Sequence, residues 1–180
     1  MCARLVEETS LVVPARLARL LLASHDDFCW LDERRGWFWL RPTARNRLLN
    51  QIEKIMAVAP SVSIAELRDG VGRPHRMKGL RLPRHVLARL CADSGRYELS
   101  GDRVLAMPGH PHWKDCLGQG EAALVAVLLD HGPLMPREEL ERIAVGEKGV
   151  NRGSFYVYVG SSPVLACYAA GVYGLRGSSA

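Results

Sequence analysis

What most limits the fold of this chain is a repeated pair of elements, a short helix opened by proline and then a β-hairpin. Residues 11–24 (LVVPARLARLLLAS) align with residues 80–94 (LRLPRHVLARLCADS). Pro14 matches Pro83 at an offset of 69, and Ala18, Arg19 and Leu20 match Ala88, Arg89 and Leu90 at an offset of 70. Proline suits a first helical turn because the N–H it lacks has no partner there. Two β-rich runs follow each helix, 28–31 and 37–40 around Gly36, then 96–99 and 104–107 around Gly101. Runs joined this way predict hairpins. A third hairpin ends the pattern, with 164–168 and 172–175 flanking Gly171. Self-similarity at this spacing demands several small units in place of one large sheet.

Two helices are expected ahead of the second hairpin's proline-opened helix. Over residues 46–58, Leu48, Leu49, Ile52, Ile55 and Met56 fall on one face at helical spacing. Ser63 followed by Glu66 reads as a capping box opening a helix over 64–70. The third unit repeats the plan: a helix over 121–131, a turn at Gly132 and Pro133, and a second helix over 136–144 with acidic residues in its first turn, where they suit the helix dipole. A third helix is expected over 151–160, although 155–159 (FYVYV) also suits a strand.

The order helix, helix, helix, hairpin resembles a winged helix-turn-helix domain. That resemblance implies a third helix that enters the DNA major groove with the hairpin wing beside it. It covers residues 11–177 and is similar to sigma-factor-like and transcription-associated helix-turn-helix modules of bacteria. The expected fold class is mainly α (α+β), built of tandem winged-helix units of three helices and a wing. Residues 1–42 form an incomplete unit with only the third helix and wing. Residues 43–110 form a basic unit, and residues 117–177 a C-terminal unit.

Charge sorts the units. The 180-residue chain has a net charge of +5. Residues 41–90 carry 11 basic and 3 acidic side chains, whereas residues 1–40 and 91–180 are each slightly acidic. A basic stretch inside a folded module suits a polyanion, because every neutralised phosphate releases condensed counterions. The charge concentrates at Arg73, Arg76, Lys78, Arg81 and Arg84, with His75 among them. Arg73, Arg76 and Lys78 are expected to meet phosphates from a loop. Arg84, His85 and Arg89 are expected to project from the helix behind Pro83. In the first unit Arg16, Arg19, Arg34 and Arg35 face a wing crowded by Asp26, Asp27, Asp32 and Glu33, so a structural role is expected there.

In the third unit Asn151 and Arg152 begin the third helix. Asparagine pairs bidentately with adenine and arginine with guanine. Ser154 and Tyr158 stand at i+3 and i+7 from Asn151, within reach of the same expected face or of the flanking phosphate, and Arg176 follows the wing, where it is expected to cover adjacent backbone. Asn151 also suits a helix cap.

Other chemistry finds little support. There is no Walker loop, dinucleotide fingerprint, CxxC or HExxH, so no enzymatic activity and no cofactor are expected. His110, His112 and Cys116 supply three zinc-ligand types without a fourth nearby, so a loop is favoured over a metal site. Trp30, Trp37, Phe38 and Trp39 could stack on bases, but alternation puts only half of them on one face, which favours wing core plus a domain contact. Five scattered cysteines fit reduced thiols. The longest apolar run, near 122–129, is far short of the roughly 20 residues of a membrane span. Residues 1–8 lack a secretory signal. The expected protein is therefore cytoplasmic and nucleoid-associated, with double-stranded DNA as partner. A second reading takes the same winged helices as protein–protein modules, in a polymerase or another complex, with the acidic third unit as docking surface.

Overall fold

The computed structural model describes residues 14–41 and 46–178. The chain divides into two compact bodies, Met1–Ala44 and Arg45–Ala180. It is α+β, with helices predominating over small antiparallel sheets. No helix among the described residues is long and apolar enough to cross a membrane.

In the N-terminal body, α1 (Ala15–Ala23) opens behind Pro14. Strand β1 (Phe28–Asp32) pairs antiparallel with β2 (Trp37–Leu40), setting Trp30 opposite Phe38. The turn between them passes through Gly36 at φ 72°, a left-handed conformation that glycine adopts without strain. The rings of Phe28, Trp30 and Phe38 cluster at centroid distances of 4.8–6.0 Å. The Arg19 guanidinium lies 5.9 Å from the Trp30 centroid. These three rings therefore pack on one another.

The main body contains two copies of one arrangement. In the middle repeat, α2 (Arg47–Val58) is capped by Asn46, whose Oδ1 accepts from the Leu49 N–H at 3.1 Å. It buries Ile52, Ile55 and Met56. A short strand, β3 (Ser61–Ser63), leads into α3 (Ile64–Gly72), where Ser63 and Glu66 form the expected capping box. Then α4 (Arg84–Asp93) starts behind Pro83 and buries Val86, Leu87, Leu90 and Cys91. The hairpin β4 (Tyr97–Ser100) and β5 (Arg103–Ala106) follows, and β3 adds to the outer side of β5 in the sheet order β3-β5-β4. Val104 stands between Val62 and Leu99 in this register.

After a single-turn helix, α5 (Trp113–Cys116), the plan recurs. It runs through α6 (Gln119–His131), β6 (Leu134–Pro136), α7 (Arg137–Gly146), α8 (Arg152–Ser161), β7 (Leu165–Ala169) and β8 (Val172–Leu175), with sheet order β6-β8-β7. Leu124, Leu128, Leu140, Ile143 and Phe155 are fully buried between the three helices. Each such side chain contributes about 1.5–3 kcal/mol through burial. Residues 155–159 are helical. Phe155 and Val159, four residues apart, form the inward stripe, and Tyr156 and Val157 face outward.

The two repeats share a tight seam. Lys54 Nζ lies 2.6 Å from Glu121 Oε2, and the other oxygen of Glu121 accepts from Ser162 Oγ at 2.5 Å. Arg73 donates to the carbonyls of Val159 and Leu165 at 2.6 and 2.9 Å. Arg176 donates to the carbonyls of Pro163 and Glu66 and to the Asp69 carboxylate. Backbone meets backbone closely here. A Cβ on Gly70 would fall 2.7 Å from Arg176 Nε and 2.9 Å from the Pro163 oxygen.

Candidate nucleic-acid interface

The segment between α3 and α4 alternates anchors with cations. Met77 and Leu82 are buried and pin the segment to the core. A 3₁₀ turn (His75–Met77) follows Pro74, and Gly79 at φ 91° lets the chain double back. Lys78, Arg81 and Arg84 are left outward and exposed. On α3, Ala65, Arg68, Asp69 and Gly72 follow the i, i+3, i+4, i+7 spacing of one helical face. Facing each other, the segment and this stripe enclose an open cleft of about 430 Å³. Its charged lining is Arg68, Arg73, Lys78, Arg81, Arg84 and Asp69.

The lining is strongly cationic. No carboxylate pairs with Arg68, Lys78, Arg81 or Arg84 among the described residues. Cations gathered in a concave wall concentrate their field and attract anions. Arg73 differs from the other four. Its guanidinium is committed to two carbonyls of the C-terminal repeat, and its pKa is held below the usual arginine range by burial and then by the neighbouring Arg176. Within the lining it is the arginine whose guanidinium is already engaged by protein carbonyls.

The other expected contacts divide. Arg76, in the 3₁₀ turn, and His85 and Arg89, on α4, are exposed but outside the cleft. Arg176 is only 3% exposed. It serves the seam and does not cover adjacent DNA backbone, because its three donor groups are taken by Pro163, Glu66 and Asp69. Nothing in the local pattern sets Arg68 apart: it stands on α3, outside the basic run of residues 73–84, and only the fold brings it to the cleft.

At the start of α8, Asn151 is a cap: its Oδ1 accepts from the Ser154 N–H at 3.1 Å. Arg152 donates from Nε to Glu141 at 2.7 Å, and Tyr156 Oη donates to the same carboxylate at 2.9 Å. These two donors, Arg152 first, hold the Glu141 carboxyl below its usual range. Tyr158 turns inward, its ring resting where a Cβ on Gly120 would lie. Tyr158 is half-buried there, whereas Asn151 is exposed. Arg137 and Arg142 are also paired, with Glu138 and with Glu139 and Glu147 respectively.

His110, His112 and Cys116 do not converge. The His110 ring packs 5.5 Å from that of Tyr97, while His112 caps α5 through the Lys114 N–H. Among the described residues no three His, Cys, Asp or Glu side chains are grouped to hold a metal ion. The buried Cys91 thiol is pushed up to about 12 by desolvation, which keeps it protonated and unreactive.

Comparison with protein families, with curated proteins and with solved structures finds no match for this chain.

Proposed function

We propose that the chain binds double-stranded DNA as a pair of tandem winged-helix units, through the cleft of the middle repeat and with no catalytic step of its own. The cleft is the observation that carries this reading, since four exposed cations line it. The order α, β, α, α, β, β in each repeat supports the winged-helix assignment. In this reading helix α4 takes the part of the groove-entering helix, beside the cleft, and β4–β5 that of the wing. A transcription-related role in bacteria, at the nucleoid, rests on the resemblance to sigma-factor-like modules.

The C-terminal repeat favours a second role, contact with a protein. Its three α7 and α8 arginines are all paired with carboxylates, while Tyr156 and Val157 on α8 are 49% and 61% exposed. A neutralised face with exposed apolar side chains suits a protein better than a phosphate backbone.

The test is fluorescence anisotropy of a short DNA duplex over a salt series. If four phosphates are neutralised, log affinity falls against log salt with a slope of about −3 to −4. Replacing Lys78 and Arg81 by alanine flattens that slope by about 2. A slope near zero for the unaltered chain overturns the reading.

A further inference from the structure

We propose that Arg176 is a positioning residue for the cleft: by holding Asp69 it neutralises the one carboxylate that would oppose a bound phosphate. This inference rests on the cleft being a phosphate-binding surface. Asp69 is the only acidic side chain among the described residues that line it. Its side chain is 71% exposed, next in sequence to Arg68 and one helical turn from Gly72. An uncompensated carboxylate there would repel the ligand that four cations attract.

Its partner comes from the other repeat. Arg176 follows β8, 107 residues along the chain, and its Nη2 lies 2.6 Å from Asp69 Oδ2. Nε is fixed on the Pro163 carbonyl at 2.7 Å and Nη1 on the Glu66 carbonyl at 3.1 Å. A guanidinium tethered at two other points has no freedom to leave. The planar fork then presents its remaining donors in one direction. The close approach of Gly70 to Arg176 Nε fixes the depth at which the guanidinium sits. The charge of the middle repeat's cleft therefore depends on the C-terminal repeat being docked, and the two repeats act as one anion-binding body.

Duplex affinity at low salt is measured by anisotropy for the full chain and for Asp69→Asn, Arg176→Gln and the double variant, with a thermal melt of each. A unit charge near a phosphate at the protein surface is worth about a threefold to tenfold change in affinity. Arg176→Gln weakens binding by about fivefold, Asp69→Asn tightens it by about threefold, and the double variant returns to within about twofold of the parent. The melting temperature behaves differently. It falls with Arg176→Gln and stays low in the double variant, because the lost seam bonds are not restored. A double variant as weak as Arg176→Gln alone overturns the proposal. So does unchanged affinity in Asp69→Asn, whose amide oxygen can still accept from Arg176 Nη2, whose melt reports whether the fold is kept, and which decides the matter if Arg176→Gln does not fold. An unaltered chain without salt-sensitive binding removes the phosphate reading itself, and this inference with it.

Discussion

Arg152 stands at the first position of α8 with its Nε 2.7 Å from an oxygen of Glu141, so the side chain best placed to read a base from the C-terminal repeat already has a carboxylate partner. Breaking that pair to reach a guanine would sacrifice one charge-assisted bond for another. Arg152→Ala is therefore expected to leave duplex affinity within about twofold of the parent, whereas a base-reading arginine costs about 1–3 kcal/mol. Tyr156 gives an independent readout. Its hydroxyl is pushed above the usual tyrosine range, first by its hydrogen bond to Glu141. Glu141→Gln should let Tyr156 ionise at lower pH, as followed by ultraviolet absorbance. A large loss of affinity in Arg152→Ala would return base reading to this helix.

Two glycines of α3, two residues apart, should respond in opposite directions to alanine. In open helical positions glycine is worse than alanine by about 0.5–1 kcal/mol. At Gly72 a methyl group would meet no atom within 4 Å, so Gly72→Ala should raise stability by up to that amount. At Gly70 the same methyl would meet Ile55 Cδ1 and Arg176 Nε at 2.7 Å and the Pro163 oxygen at 2.9 Å. Overpacking of this kind costs about 1–3 kcal/mol. Gly70→Ala should accordingly lower the denaturant midpoint. Equal effects from both substitutions would show that the seam yields easily.

The order of elements was legible because its signals are local. Pro83, Ser63 and Asn46 mark helix starts, the buried stripe Ile52, Ile55 and Met56 marks a face, and Gly101 marks a hairpin turn. Strands β3 and β6 were not legible. With three residues each, they point only Val62 and Met135 inward, too little for an alternation to register. For the site, the run of cations was visible but its division was not. Whether Arg73 faces solvent or the seam depends on Leu165, 92 residues away, and no local pattern encodes that. Tyr158 shows the same limit. Its inward turn depends on the space left by Gly120 on another helix.

Stability should decline on the alkaline side because of Cys91. Burial raises this thiol to about 12 from an ordinary value of 9.0. Between those two pH values the unfolded chain releases the proton while the folded chain keeps it. The folded state therefore binds more protons, and stability falls as pH rises, by about 1.4 kcal/mol per unit at most. Below the ordinary value this contribution is fully retained. Tyr97, whose buried hydroxyl lacks a hydrogen-bond partner among the described residues, is shifted upward by burial too and adds to the decline at higher pH. Cys91→Ala should lower stability at neutral pH by opening a small cavity, yet flatten the alkaline limb. Denaturant midpoints at neutral pH and at about pH 10.5 separate the two effects. An unchanged alkaline slope in the variant would assign the decline elsewhere.

The cleft also makes a ranking that charge along the sequence does not. Arg68 lies outside the basic run of residues 73–84, yet it lines the cleft together with Lys78 and Arg81. Arg89 matches Arg84 in charge and helix, but sits five residues further along α4 and outside the lining. If phosphates settle in the cleft, Arg68→Ala and Arg84→Ala should weaken duplex binding comparably. Each should flatten the salt slope by about 0.9, the share of one phosphate. Arg89→Ala should change the slope by much less, since Arg89 lies outside the lining and salt screens exposed charges over roughly 8–10 Å. Being exposed, Arg68 and Arg89 should leave the melting temperature nearly unchanged, so a binding change reports on contact and not on folding. Equal slopes for Arg68→Ala and Arg89→Ala would mean that the basic surface acts as a diffuse field with no cleft at its centre. A loss confined to Arg89 and His85 would instead move the interface from the cleft to the outer face of α4.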